Sequence, residues 1–408
     1  MSQLRIFDVI IWGASGFTGR LVAEYLLTTY GSDVGLRWAI AGRNEDKLKQ
    51  IRTELKDESI PILVADSDHK ESLDELAART RVICTTVGPY AKYGSKLVQA
   101  CIEQGTDYCD LAGEPQWIRS MIDQHQDAAV EAGVRIVNCC GFDSIPSDLG
   151  VMFLQNKIKE KTGNYAQHIK LRLKAMSGTF SGGTFASMQN VLYEASKDSM
   201  TRRVLKSPYG LNPEMDNQGN DEPDMEAVIY DEDAGSYITP FLMAGINTKI
   251  VRRSHALSGF QYGKEFRYDE ATLSGPGFKG KLKGIRMALS MLPLVIGKPG
   301  SWLRKYLDSK LPDPGEGPSK EERENGFFNF LLIGKLDDDS TVRATVTGDR
   351  DPGYGSTSKM LGECAVCLAK DKDKTPEVTG LLTPSIAMGE VLLERLQKNA
   401  GLTFAIEE

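Results

Sequence analysis

Residues Phe7-Asp-Val-Ile-Ile-Trp12 run directly into Gly13-Ala-Ser-Gly16-Phe-Thr-Gly19, and a helical pattern of Leu21, Val22, Tyr25 and Leu26 follows. A β-branched apolar run without alternation is what a strand covered on both faces of a parallel sheet requires. Glycines three residues apart then allow a tight turn, the approach of an anion to the backbone, and close packing of the helix on the strand. The helix N-terminus presents free N–H groups and a partial positive charge, which suits a pyrophosphate. The expected dinucleotide contacts are Gly13, Ser15, Gly16, Phe17, Thr18 and Gly19.

The second strand bears on which dinucleotide binds. Trp38-Ala-Ile-Ala-Gly42 ends in Arg43-Asn44, with Arg43 placed 24 residues after Gly19. An NAD site usually carries Asp or Glu here, to accept from the ribose 2′-hydroxyl. A carboxylate would repel a 2′-phosphate, whereas a guanidinium pairs with it. Arg43 and Asn44 are therefore expected to select NADP, the alternative being a solvated arginine in a loop.

The βα rhythm continues. Pro61 to Asp66 reads as a third strand, and Asp66 would either contact the adenine amine or cap the next helix. Arg81-Val-Ile-Cys-Thr-Thr-Val-Gly-Pro-Tyr90 is a fourth strand entering a tight turn. Ligands of doubly wound sheets lie beyond the carboxyl ends of the strands, so Thr86, Val87, Gly88 and Pro89 are expected along the cofactor. A fifth strand, Asp107 to Leu111, opens into Ala112-Gly-Glu114, and a sixth, Val134 to Asn138, opens into Cys139-Cys-Gly-Phe-Asp-Ser144. Ser147 or Asp148 is expected to cap a helix from Leu149 to Lys157.

After about residue 150 the pattern changes, as expected for a second, mixed α+β domain concerned with substrate or dimerisation. Ile169 to Ala175 alternates like a half-exposed antiparallel strand, and a helix is expected from Ser181 to Asp198. The acidic stretch Pro213 to Asp233 reads as a solvated loop. Further strands are expected at Phe266–Leu273, Phe327–Lys335 and Thr341–Gly348. From Tyr354 two helical patterns follow, joined by Thr379-Gly-Leu-Leu-Thr-Pro384, and are expected to pack back on the first domain. The expected class is thus α/β: a Rossmann-type doubly wound parallel sheet over residues 1–148, a mixed domain over 149–350 and C-terminal helices over 351–408.

Composition narrows the partners. A net charge of −7 opposes general nucleic-acid binding. Seven scattered cysteines suggest reduced thiols in a cytoplasmic setting. The pair Cys364-Ala-Val-Cys367 lacks a second pair or a nearby histidine to complete a metal site, so no metal is expected. The four histidines lie outside the strand-end clusters, and most read as surface residues. One segment reverses the sign of the chain: Phe278 to Arg286 is basic, Met287 to Ile296 apolar, and Gly297 to Lys305 basic again with Trp302. Such a segment, 278–305, either docks on an anionic lipid surface or is a buried helix with basic flanks. It is too short to span a bilayer.

With these residues in view, the chain resembles the saccharopine dehydrogenase-like oxidoreductases, and within them the branch of the trans-acting enoyl reductases. The resemblance rests on Gly13 to Gly19, Ala41-Gly-Arg43, Thr86-Val-Gly-Pro-Tyr90, Tyr108-Cys-Asp-Leu-Ala-Gly-Glu114 and Gly141-Phe-Asp-Ser-Ile-Pro-Ser147. Later strings that share it are Val251-Arg-Arg-Ser254, Asp351-Pro-Gly-Tyr354 and Gly380-Leu-Leu-Thr-Pro384. It implies NADP binding, hydride transfer to a lipid-like enoyl or carbonyl substrate, and an acid to supply a proton. Tyr90 is the first candidate donor, unless its ring only packs beneath the cofactor; Ser144 and Asp143 are the next. Two alternatives stand beside this reading. A saccharopine-type amino-acid dehydrogenase would need a cationic pocket, for which Arg252 and Arg253 are the nominees. A non-catalytic lipid-surface protein would hold NADP without turnover. A homodimer is compatible with all three.

Overall fold

A computed structural model describes residues 5–32, 35–178, 182–215, 219–296 and 317–407, without the side chains of 182–186 and 291–296. The chain divides into two compact units, Met1–Ile145 with Gly353–Gly401, and Pro146–Pro352 with Leu402–Glu408. Strands β1 (Phe7–Trp12), β2 (Trp38–Gly42), β3 (Ile62–Val64), β4 (Thr80–Thr85), β5 (Asp107–Cys109) and β6 (Arg135–Val137) belong to the first. Strands β7 (His168–Ser177), β8 (Ile229–Asp231), β9 (Ser236–Thr239), β10 (Arg267–Gly275), β11 (Phe327–Lys335) and β12 (Thr341–Gly348) belong to the second. The chain then returns to the first unit for β13 (Gly380–Leu382) and to the second for β14 (Leu402–Ile406).

The first sheet has the order β13-β6-β5-β4-β1-β2-β3, with every pairing parallel. This is the Rossmann-type doubly wound arrangement, and the whole molecule has the expected α/β class with a second mixed domain. All six residues of β1 are buried, because helices cover both faces of the sheet and leave no wet side on which polar residues could alternate. Winding starts at β1, goes outward through β2 and β3, and then crosses back to β4 on the other side of β1. The carboxyl ends of β1 and β4 therefore form a topological switch point, where a crevice opens for a ligand.

Two C-terminal elements complete this unit. The helix Thr357–Lys370 packs on the helix Phe17–Tyr30 and against β1, β4 and β5. Thr379 to Pro384, read from the sequence as a connector between helices, instead contributes β13, which extends the sheet beside β6. Its three residues are too few to show periodicity, and they form a strand because the β6 edge offers unpaired backbone groups.

The second sheet has the order β14-β12-β11-β7-β10-β9-β8 and is mixed. Here three expectations change. The strand at Ile169–Ala175 is central, antiparallel to β11 but also parallel to β10; it is buried at Ile169, Leu171, Arg172 and Leu173 and exposed at Lys174 and Ala175. Arg172, at a polar position of its alternation, is buried between Asp231 (Nε to Oδ2, 2.7 Å) and Asp269 (Nη1 to Oδ1, 2.6 Å). The acidic stretch is not simply solvated: Asp231 sits in β8 beside Arg172 and Lys170, and buried Asp221 pairs with buried Arg252 at 3.2 Å. The helix predicted from Leu149 starts at Ile145, which places Ser147 and Asp148 in its first turns rather than at its cap. Cationic partners elsewhere in the unit draw these carboxylates inside, which no local composition rule anticipates. Removing one partner from such a buried pair strands the other charge. Arg172→Met is accordingly expected to lower unfolding stability by about 3 kcal/mol in a denaturant titration, with smaller losses arguing that Lys170 and His168 compensate.

Candidate active site

The glycine turn is built by close packing. Gly13 has φ of +91°, and a methyl there would come within 2.5 Å of Val87 Cγ2 and 3.0 Å of Thr86 Oγ1. A methyl at Gly19 would meet the Gly13 carbonyl oxygen at 2.3 Å and Ala14 Cα at 2.8 Å. The Gly13 and Ala14 N–H groups donate to the Ala41 carbonyl, and Gly16 N–H donates to the Gly13 carbonyl, so the turn is tied to the end of β2. The helix Phe17–Tyr30 starts with Gly16 as N-cap, with no side-chain cap and no acidic residue in its first turn. Its positive end is left to an anion. Thr18 lies in that first turn, and the Phe17 ring is braced edge-on by Tyr354 with centroids 4.8 Å apart.

Around this turn stand the other nucleotide candidates. Ser15 Oγ lies 3.6 Å from where a side chain at Gly42 would begin, so the loop reaches the residue preceding Arg43. Arg43 is exposed and has no ion pair among the described residues. Asn44 accepts from Lys47 N–H at 3.0 Å and caps the helix Glu45–Leu55. Asp66 accepts from Asp68 N–H at 2.9 Å, closing a turn ahead of the helix Lys70–Ala78, whose N-cap is His69. Thr86 donates through Oγ1 to the Gly13 carbonyl at 3.3 Å and through N–H to that of Trp12 at 3.0 Å. Val87 and the cis Gly88–Pro89 peptide continue over the carboxyl end of β4. The cradle kept open at Gly13 and Gly19 and the uncapped helix end fit a pyrophosphate, and Arg43, without an ion pair among the described residues, fits a 2′-phosphate.

The carboxyl ends of β5 and β6, on the same edge of the sheet, hold a second cluster. Buried Asp110 organises it, accepting from Tyr108 Oη at 2.9 Å, Asn138 Nδ2 at 2.8 Å, Ala112 N–H at 3.0 Å and Cys139 N–H at 3.1 Å. Burial pushes its carboxyl up to about 6 despite these four bonds. Cys139 is held in the left-handed region, φ +60°, with its thiol on the Ala112 carbonyl at 2.8 Å. Strained non-glycine backbone of this kind persists only where its surroundings over-determine it.

Glu114 makes the second brace. It is fully buried and accepts from Tyr90 N–H at 2.7 Å and Ala91 N–H at 3.0 Å. Tyr90 is itself buried, its hydroxyl donating to the Thr85 carbonyl at 3.3 Å and accepting from Leu111 N–H at 3.1 Å. Burial pushes that phenol far above its ordinary range. The expectation that Tyr90 donates a proton therefore gives way: its oxygen joins the ends of β4 and β5, and its ring packs on Trp117 at 5.5 Å. Ser144 is also fully buried, hydrogen-bonded with the Cys139 thiol, so it does not face a ligand either.

Asp143 differs from both. It is half-buried and has no hydrogen-bonding side-chain partner among the described residues. Its carboxyl lies over two glycines: a methyl at Gly141 would be 3.2 Å from Oδ2, and one at Gly113 would be 4.0 Å from Oδ1. Burial first, and the neighbouring charge of Asp110 second, push this carboxyl up to about 7. Thr357 fixes the loop, accepting from Phe142 N–H at 3.1 Å. Sequence reasoning placed Asp143 among the candidates but assigned nothing to Asp110 or Glu114. Their positions just after β5 were the available signal, yet a carboxylate that accepts only backbone and neighbouring side chains looks the same in sequence as one that faces a substrate.

The remaining expectations about ionisable residues divide. All seven cysteines are buried and free, and no group of three metal-ligating side chains occurs among the described residues. His69 is exposed, but His255 is buried, stacked on Tyr262 with centroids 5.2 Å apart, and His168 pairs with Asp269 at 2.7 Å. Arg252 and Arg253, nominated for a cationic pocket, are buried too; Arg252 donates to the Tyr268 carbonyl and Arg253 to that of Leu211.

Comparison with known proteins bears on the family and the fold. Residues 9–137 match the family model of the saccharopine dehydrogenase NADP-binding domain. The trans-acting enoyl reductase of Mycobacterium ulcerans is 36% identical over 99% of both chains, and that of Mycobacterium tuberculosis 36% identical over 96% of both. Another Mycobacterium tuberculosis relative, given the same name provisionally, is 39% identical over 96% of both chains. The structure of apo saccharopine dehydrogenase (L-Glu forming) from Saccharomyces cerevisiae shares the fold, with a TM-score of 0.53 at 12% identity over 98% of this chain and 99% of that one. The chain therefore belongs to the saccharopine dehydrogenase-like family of NADP-dependent oxidoreductases, in the group of the trans-acting enoyl reductases.

Proposed function

We propose that this protein reduces a lipid-like enoyl or carbonyl substrate, with Asp143 as the acid. The observation that supports this most is Asp143 itself, a carboxyl bonded to no other side chain among the described residues, poised near neutrality on the same sheet edge as the glycine turn. An acid is most effective when its pKa lies near the working pH. NADPH, when bound, supplies the hydride. Gly13, Gly16 and Gly19 admit the pyrophosphate to the backbone, and Arg43 pairs with the 2′-phosphate. Thr86 to Pro89 shape the floor beyond β4. For an enoyl substrate, Asp143 holds the proton on its carboxyl and releases it to the α-carbon as the β-carbon gains hydrogen. Being half-buried, it regains a proton from solvent. Asp110 and Glu114 are positioning residues, because their buried carboxylates accept hydrogen bonds that hold the ends of β4, β5 and β6.

The relatives' name supports an enoyl group over the alternatives, and the commitment of Arg252 and Arg253 within the second unit weakens the case for a polyanionic amino acid. A lipid-like substrate also gives the basic-apolar segment 278–305 a use as a peripheral contact, although 297–305 lies outside the described residues. NADPH oxidation at 340 nm, measured with α,β-unsaturated acyl thioesters of increasing chain length and with saccharopine precursors, tests the proposal. Turnover that rises with chain length supports it. Turnover only with the amino-acid pair overturns it, and nucleotide binding with no turnover would favour the non-catalytic reading. Arg43→Ala should weaken NADPH binding by about 10- to 100-fold in a fluorescence titration and leave NADH nearly unchanged, as expected for loss of one charge-assisted phosphate contact.

A further inference from the structure

The helix Gly277–Ile296 packs on β9 and β10 the wrong way round for a soluble protein. Among its described residues the buried positions are Gly280 and Gly284. A methyl at Gly280 would collide with the Gly275 carbonyl oxygen, and one at Gly284 would lie 2.8 Å from Ser274 Oγ and 2.9 Å from Val228 Cγ1. Four large apolar side chains of residues 278–289 are exposed instead. Phe278 is 80% exposed, Leu282 51%, Ile285 39% and Leu289 56%. Spaced four, three and four residues apart, they form a single stripe along one face. Lys279, Lys281, Lys283 and Arg286 are all exposed, and helical geometry places Lys281 on one side of the stripe and Arg286 and Lys279 on the other. No acidic residue occurs between Gly277 and Ser290, on a chain whose net charge is −7.

We infer that this helix docks the protein on an anionic lipid surface, with Phe278, Leu282, Ile285 and Leu289 at the acyl boundary and the four cations among the headgroups. An apolar stripe held outward by a glycine face has to be covered by something, and its flanks say by what. A second copy of the chain would bring four cations against four cations, whereas anionic headgroups neutralise them. Among the described residues no helix is long and apolar enough to cross a membrane, so the contact is one of lying on the surface. The inference goes beyond the reductase reading and does not depend on it, because its test reads binding with no turnover.

The experiment is co-sedimentation of the purified full chain with vesicles of phosphatidylcholine alone or containing about a third phosphatidylserine, at low and high salt. Binding should require the anionic lipid and fall as salt rises. Leu282→Asp with Leu289→Asp should abolish it, and Lys281→Gln, Lys283→Gln and Arg286→Gln together should weaken it on the order of 100-fold, at about fivefold per cation. All these positions are exposed, and unchanged thermal unfolding would show the fold intact. Equal binding of either variant and the wild type overturns the inference. So does failure of the wild type to bind, or a dimer in analytical ultracentrifugation that Leu282→Asp with Leu289→Asp converts to monomer without any vesicle binding.

Discussion

Gly19→Ala should cost NADPH affinity about 100-fold, the upper end of what a forced repacking costs, while leaving the overall fold in place. The methyl would lie 2.3 Å from a carbonyl oxygen and 2.8 Å from a Cα, both backbone atoms of the same turn, so no side chain can rotate to make room. The helix Phe17–Tyr30 must then shift away from β1, and its N–H groups leave the position a pyrophosphate would occupy. Gly245→Ala, where a methyl meets nothing within 4 Å, is the matched control. Fluorescence titration with NADPH, alongside thermal unfolding of both variants, measures the effect. Unaltered affinity in Gly19→Ala would show that the phosphates do not lie at this helix end.

Asp143→Asn carries the second large effect. With the carboxyl pushed up to about 7, the acid form predominates below neutrality, so the wild-type kcat should be level at low pH and fall about tenfold per unit above about 7. The amide has no proton to give: kcat should drop by roughly 10² to 10⁴ and lose that limb, with little change in NADPH affinity. Stability moves the other way. A carboxyl whose folded pKa is raised binds its proton more tightly in the native state, so its stabilising contribution is complete below the ordinary aspartate range of about 4 and is lost as pH rises through about 7. Asp143→Asn should therefore unfold at a higher temperature than wild type at pH 8 and show no such gain at pH 4. If the variant kept the wild-type pH profile, Asp143 would not be the acid, whatever its effect on rate.

Much of the first unit was legible because its determinants are local. The continuous apolar run of Phe7 to Trp12, the glycine spacing and the strand-helix alternation are short-range patterns, and they require a doubly wound sheet with a phosphate-binding turn. Arg43 lies where that alternation placed it, exposed just after β2. The expectations that changed share another physical origin. Tyr90 and Ser144 were candidates because they lie near strand ends, but the Thr85 carbonyl at the end of β4 and the Leu111 N–H from the loop after β5 claim the Tyr90 hydroxyl, and Ser144 is buried beside Cys139. Long stretches of sequence also separate Arg172 from Asp231 and Arg252 from Asp221, pairs that bury two carboxylates of an apparently solvated stretch.

The class of fold and the cofactor could be read from the sequence, because glycine conformation, strand hydrophobicity and the charge after β2 act within a few residues of where they are written. Tertiary packing decided which strand-end acid lacks a bond to another side chain, which carboxylates are buried, and that the basic-apolar helix turns Gly280 and Gly284 inward while Phe278, Leu282, Ile285 and Leu289 stay exposed. Those outcomes depend on partners far away along the chain. Burial and pairing, rather than residue type, set whether a polar group reacts, braces or pairs, and whether an apolar one belongs to the core or to the surface.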